Sequence, residues 1–199
     1  MIILKIINGE NEVTNEKHFV TFKKTVYFDK LKEYYSNLNT EILFKSFIHG
    51  QGHIERVMLF AMMLSEHYNL NKKDSDILMN ASSYHDIGRV NDRYDLSHGK
   101  RASEKIAIYT KLSGEDLEIL KATVTAHSLE DSSMEKVIES YNIENKKRAI
   151  YLAKMFKDCD GLDRVRISDL DENFLRNDYS KELVDFSKIL YKEYNSVKE

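Results

Sequence analysis

From Asp29 onward, apolar residues recur three and four positions apart, the repeat that gathers them on one face of an α-helix. Ile54, Val57, Met58, Ala61, Leu64 and Tyr68 make one stripe, and Ile77, Leu78, Ala81 and Tyr84 make a second. Leu117, Leu120 and Val124 form a third after Ser113, which opens a Ser-x-x-Asp capping pattern with Asp116. Ala149, Leu152, Ala153 and Phe156 follow, and Leu183, Phe186, Leu190, Tyr194 and Val197 make a last amphipathic segment. Residues 1–28 have a different pattern. β-Branched and aromatic clusters at Ile2 to Ile7 and Phe19 to Phe28 flank a polar stretch from Asn8 to Lys17, which is compatible with a short β-hairpin. The expectation is an all-α helical bundle over residues 29–199, with residues 1–28 as an N-terminal appendage. No repeat or low-complexity linker separates the stripes, so they are expected to share one core.

Composition narrows the class. The chain of 199 residues has no proline and seven glycines, so little interrupts its helices. With 42% hydrophobic and 32% charged residues it describes a globular protein and excludes a disordered polymer. No apolar run approaches the roughly 18 residues of a membrane span. The apolar Ile2 to Ile7 breaks at Asn8-Gly9-Glu10 without a cleavage site, so a cytoplasmic location is expected. Thirty Lys and Arg against 33 Asp and Glu give a net charge of −3, without the basic excess of a nucleic-acid-binding domain. Long nucleic acids are therefore disfavoured as partners. The single cysteine, Cys159, forms no disulfide within the chain and supplies no thiolate cluster, so any metal rests on histidine and carboxylate.

Certain polar residues continue the apolar stripes. His85 stands seven after Leu78 and four after Ala81, with Asp86 about 100° further round the helix. His53 precedes Val57 by four, His127 follows Val124 by three, and Asp160 follows Phe156 by four. Burying Asp86 and Asp160 as unpartnered ions costs several kcal/mol, and a cation between them is the simplest compensation. Two imidazoles and two carboxylates suit a divalent ion, with Mn, Fe, Co, Ni, Zn and Mg undistinguished. No His-Glu-x-x-His, phosphate-loop or Gly-x-Ser-x-Gly motif competes with this set.

The order His53, His85-Asp86, Asp160 resembles the HD-domain superfamily of metal-dependent phosphohydrolases. His53-Ile54-Glu55-Arg56-Val57 looks like the His-x-x-Arg-Val opening of its small bacterial members. Tyr84-His85-Asp86-Ile87-Gly88-Arg89 looks like their His-Asp-Ile-Gly helix end, and Asp158-Cys159-Asp160-Gly161-Leu162-Asp163 like their Asp-Ala-Asp-x-Leu-Asp segment. The resemblance implies an all-α fold with His53, His85, Asp86 and Asp160 as metal ligands. Asp158 and Asp163 compete with Asp160 on spacing alone, and the resemblance selects Asp160 because Leu162 follows it by two. His98 and His127 complete a fuller order, which in the superfamily either holds a second ion sharing Asp86 or contacts the substrate phosphate. Ser128 stands where some two-metal phosphodiesterases carry a second adjacent histidine.

A phosphate ester also needs cationic donors. Lys100 and Arg101 lie beside His98, and Arg56, which the resemblance favours, lies one turn after His53. Asp86, Arg56 and Lys100 are therefore the candidate catalytic residues, and Arg56, His98, Lys100, Arg101 and His127 the candidate substrate contacts. Arg89, Asn91 and Asp92 fall in a loop that could line the pocket mouth, and His49 is a candidate pocket residue. The expected activity is hydrolysis of a phosphomonoester or phosphodiester in a small, nucleotide-like substrate by a metal-activated water, with one or two divalent ions per chain. Two other readings stand beside it: a mixed-valent di-iron oxygenase of the same superfamily, and a non-catalytic nucleotide-binding module. Homo-oligomerisation is left open.

Overall fold

The computed structural model describes residues 1–198. Its helices run in the order α1 (Ile2–Asn8), α2 (Glu12–Asn15), α3 (Lys17–Phe22), α4 (Val26–Asn37), α5 (Gln51–His67), α6 (Lys72–Tyr84) and α7 (His98–Lys105). They continue through α8 (Gly114–His127), α9 (Met134–Glu139), α10 (Lys146–Leu162), α11 (Asp178–Glu182) and α12 (Val184–Lys198), with short 3-10 turns between. The five stripes of the sequence fall on α5, α6, α8, α10 and α12. No membrane-crossing helix occurs among the described residues: none is long and apolar enough.

Residues 1–28 carry no hairpin. They form α1, α2, α3 and the start of α4, and no strand occurs among the described residues. Their β-branched composition conceals a helical period: Ile3, Ile6 and Ile7 stand at i, i+3 and i+4, and all three are buried. Phe19 and Phe22 repeat that spacing, and their rings meet Phe28 edge-on. Packing against α12 and α5 outweighs the weak strand preference of isoleucine. These side chains belong to the same hydrophobic cluster as the rest of the chain.

Helix α5 is the hub. Every residue from His53 to Ser65 is buried, so this helix is enclosed on all sides by α4, α6, α10 and the terminal helices. Charges in its first turn therefore need internal partners. Glu55 accepts the Ile3 backbone N–H at 3.0 Å and the Tyr194 hydroxyl at 2.8 Å, tying both ends of the chain to α5. Arg56 is met by Asp163, which follows α10.

Two glycines set the distances between helices. A Cβ on Gly88 would stand 2.1 Å from the His98 carbonyl and 2.5 Å from the Ala102 nitrogen, both backbone atoms of α7. A Cβ on Gly99 would stand 2.5 Å from the Val124 carbonyl of α8. These close approaches bring the end of α6, the start of α7 and the end of α8 together. Gly88→Ala should lower unfolding stability by about 3 kcal/mol, measured by urea titration, because backbone cannot yield to the added methyl.

Candidate metal centre

Six donor side chains lie at or near helix ends. His53 is in the first turn of α5, His85 and Asp86 leave α6, His98 opens α7, His127 closes α8, and Asp160 stands near the end of α10. Three of these ends are C-terminal, where the partial negative charge of the helix favours a cation.

The geometry divides them into two sets that share Asp86. In the first, His53 Nε2 lies 3.0 Å from His85 Nε2, and the two nitrogens lie 3.7 and 3.6 Å from Asp86 Oδ2. Asp160 Oδ1 approaches the same two imidazoles at 3.3 and 4.0 Å. In the second, His98 Nε2 lies 2.8 Å from His127 Nε2, and the two stand 3.2 and 3.9 Å from Asp86 Oδ1. Ligands held about 2.1 Å from one ion are separated by such distances.

Each imidazole is oriented by its other nitrogen. His53 Nδ1 lies 2.7 Å from Asp163 Oδ2, His85 Nδ1 3.3 Å from the Ser82 carbonyl, His98 Nδ1 2.5 Å from the Asp95 carbonyl, and His127 Nδ1 2.5 Å from the Val124 carbonyl. These acceptors assign the proton to Nδ1 and leave a lone pair on each Nε2. Two buried lone pairs then face each other at 3.0 Å and again at 2.8 Å, a contact that requires a positive charge between them. Asp86 Oδ2 is buried with no hydrogen-bond partner at all. A shared proton would relieve one nitrogen pair and leave that oxygen unsatisfied. A cation serves both, so the residues present fit a divalent ion.

The HD domain family model matches residues 50–165, more than half of the chain and a span that contains all six donors. The chain belongs to the HD domain family. No curated protein and no solved structure matched it.

Burial acts on the charges of this HD domain in two directions. It drives His85 down to about 3, which keeps the ring neutral and its lone pair available. On Asp86 burial opposes ionisation, and a cation between the imidazole pairs would offset that cost. Arg89, one turn after Asp86, adds a hydrogen bond of 2.8 Å to Oδ1.

The three aspartates near the end of α10 take separate roles. Asp160 faces the imidazoles from a cleft, with 24% of its side chain exposed. Asp158 is buried on another side, accepting the backbone N–H groups of Arg176 and Asn177. Asp163 lies behind His53, holding its Nδ1, and binds Arg56 through Nε at 2.6 Å and Nη2 at 2.9 Å.

The candidate phosphate contacts Arg56, Lys100 and Arg101 are each engaged by other protein groups. Arg56 is 4% exposed, its guanidinium is consumed by Asp163 beneath Tyr194, and it borders a different hollow from the cleft. Its role is to balance the carboxylate that orients His53. Lys100 lies two residues after His98, about 200° round α7. Its ammonium therefore points away from the donors, to the ring and hydroxyl of Tyr141. Arg101 donates to the Gly88 carbonyl at 2.8 Å and pairs with Asp95, pinning the loop between α6 and α7. His49 is hydrogen-bonded to Asp92 at 2.8 Å.

A cleft of about 760 Å³ opens on Asp160 and His127. Its cations are Lys157, Arg164 and Arg176. Lys157 precedes Asp160 by three on α10, so the two share a face of that helix, a signal the sequence contains. Lys157 Nζ pairs with Asp131 Oδ1 at 2.7 Å, and Arg176 donates to both oxygens of that carboxylate, at 2.7 and 2.8 Å. Those bonds, Arg176 first, pull the Asp131 carboxyl down to about 2. Arg176 comes from a loop beyond the matched segment, and nothing in the sequence pattern points to it.

Proposed function

We propose that this HD domain is a metal-dependent phosphohydrolase that cleaves a phosphomonoester or phosphodiester bond of a small, nucleotide-like substrate. The observation that carries this reading is Asp86, which directs one carboxylate oxygen to each imidazole pair, beside an open cleft that Asp160 and His127 border. A purely structural metal site closes its coordination shell within the protein, whereas Asp160 and His127 border solvent-accessible space. A divalent ion bound there supplies Lewis acidity toward a phosphoryl oxygen and lowers the pKa of a water. Water adds to phosphorus, the ester P–O bond breaks, and the water's proton ends on the departing alcohol.

The protein's own groups hold and orient. Lys157, one turn before Asp160 and itself paired with Asp131, lines the cleft and joins Arg56, Lys100 and Arg101 as a candidate phosphate contact. The cleft's three cations are outnumbered by Glu130, Asp131, Asp160, Asp169 and Asp171, so phosphate affinity depends largely on bound ions. The second imidazole pair supports two ions and so also suits the di-iron oxygenase reading.

The test is phosphate release from a panel of phosphorylated metabolites by metal-analysed protein. Turnover with Mn or Co, independent of oxygen and lost with chelator, is expected, with up to two ions per chain and one in His127→Ala. Oxygen consumption with two irons per chain and no phosphate release would overturn the hydrolytic reading.

A further inference from the structure

Two large rings stand uncovered at the mouth of the cleft. Tyr94 is 86% exposed and Phe174 74% exposed, and both line the same cavity as Asp160 and His127. They come from different loops, one between α6 and α7 and the other between α10 and α11. Each ring is bare, yet the backbone beneath it is fastened. The Tyr94 loop is pinned by Arg101, which binds Gly88 and Asp95, and by the Asp95 side chain, which accepts the Ser97 N–H at 2.9 Å. The Phe174 carbonyl accepts from Arg176 Nη1 at 2.8 Å, and Asp158 holds the Arg176 and Asn177 backbone from below. Exposed aromatic groups on anchored loops have little conformational entropy left to lose on binding.

Charge says what they bind. The five acids of the cleft outnumber its three cations, so a bare phosphate depends for most of its affinity on ions bound among the donors. A planar group at the mouth gains affinity from the rings by stacking, independently of those ions. We propose that Tyr94 and Phe174 hold the base of a nucleoside phosphate while its phosphate reaches the donors. The assignment rests on the phosphohydrolase reading. It adds the two specificity-determining residues, of which Phe174 lies outside the segment matched by the family model.

The experiment compares adenosine 5′-monophosphate and adenosine 5′-triphosphate with their base-free counterparts, ribose 5-phosphate and inorganic triphosphate. Initial rates are measured on the metal-loaded full chain and on Tyr94→Ala, Phe174→Ala and the double variant. Each single substitution is expected to raise KM for the adenosine compounds about ten-fold, leaving kcat and the base-free compounds unchanged. Tyr94→Phe and Phe174→Tyr should retain the parental KM, which a merely folding-related defect would not predict. Equal KM values for base-bearing and base-free compounds in the parent would overturn the assignment, as would parallel losses on both in the alanine variants. If none of the four compounds releases phosphate, hydrolysis of adenylates is refuted, and calorimetric binding of adenosine monophosphate decides the clamp separately. Binding weakened ten-fold by each alanine upholds it; unchanged or absent binding overturns it.

Discussion

Asp86→Asn should lose metal retention and phosphate release together while the metal-free protein folds as stably as the parent. Asp86 is the one side chain common to both donor sets, so its charge sustains every ion the site can hold. Loss of a group that merely orients a ligand costs 10–100-fold in metal affinity, and loss of this shared ligand is expected to exceed about 100-fold. The fold survives for a separate reason. The amide keeps an acceptor for Arg89, which bonds Oδ1, and places N–H donors where unpartnered Oδ2 now faces the lone pairs of His53 and His85. Thermal unfolding with and without chelator separates the two effects. At metal concentrations about 100 times Kd the parent gains about 2.7 kcal/mol, which for a chain of this size is about 5–10 °C. The variant should show no such shift. A variant that keeps bound metal or turnover would remove the basis of the proposed centre.

Asp163→Ala should act on stability first and on metal second. This carboxylate is fully buried, burial opposes its charge, and Arg56 chiefly compensates, with His53 and Arg166 adding to it. Removing it strands the Arg56 guanidinium in the interior beneath Tyr194, where no other carboxylate is bonded to it among the described residues. An uncompensated buried charge costs about 3–5 kcal/mol. His53 also loses the acceptor that fixes its Nδ1 proton, so metal affinity in the surviving folded fraction should fall about 10–100-fold. Urea unfolding and competitive metal titration measure the two losses. Unchanged unfolding stability would mean that Arg56 does not depend on Asp163.

Much of this site is legible in the amino-acid sequence. His53, His85, His127 and Asp160 each occupy a position where an apolar stripe predicts burial, Asp86 follows His85 directly, and the fold brings these residues together. Spacing does not separate Asp160 from Asp158 and Asp163, since all three lie within six residues at the end of one helix. Only the positions of His53 and of the Arg176 loop decide which carboxylate each one meets. The same holds for Arg56: its proximity to His53 is a matter of helical spacing, but its direction is set by a partner 107 residues away. The hairpin expected at residues 1–28 rests on residue type, and the i, i+3, i+4 spacing of Ile3, Ile6 and Ile7 overrides it because only a helix buries all three on one face.

Helical periodicity and the misplaced polar residues alone determined the all-α class and the burial of these histidines and aspartates, because each depends on local spacing along a helix. Tertiary structure alone decided which aspartate faces the cleft, which arginine is consumed as a counter-charge, and which loops carry cations and rings to its mouth. Those outcomes depend on contacts between segments distant in the chain, and no local pattern encodes the direction in which such side chains meet.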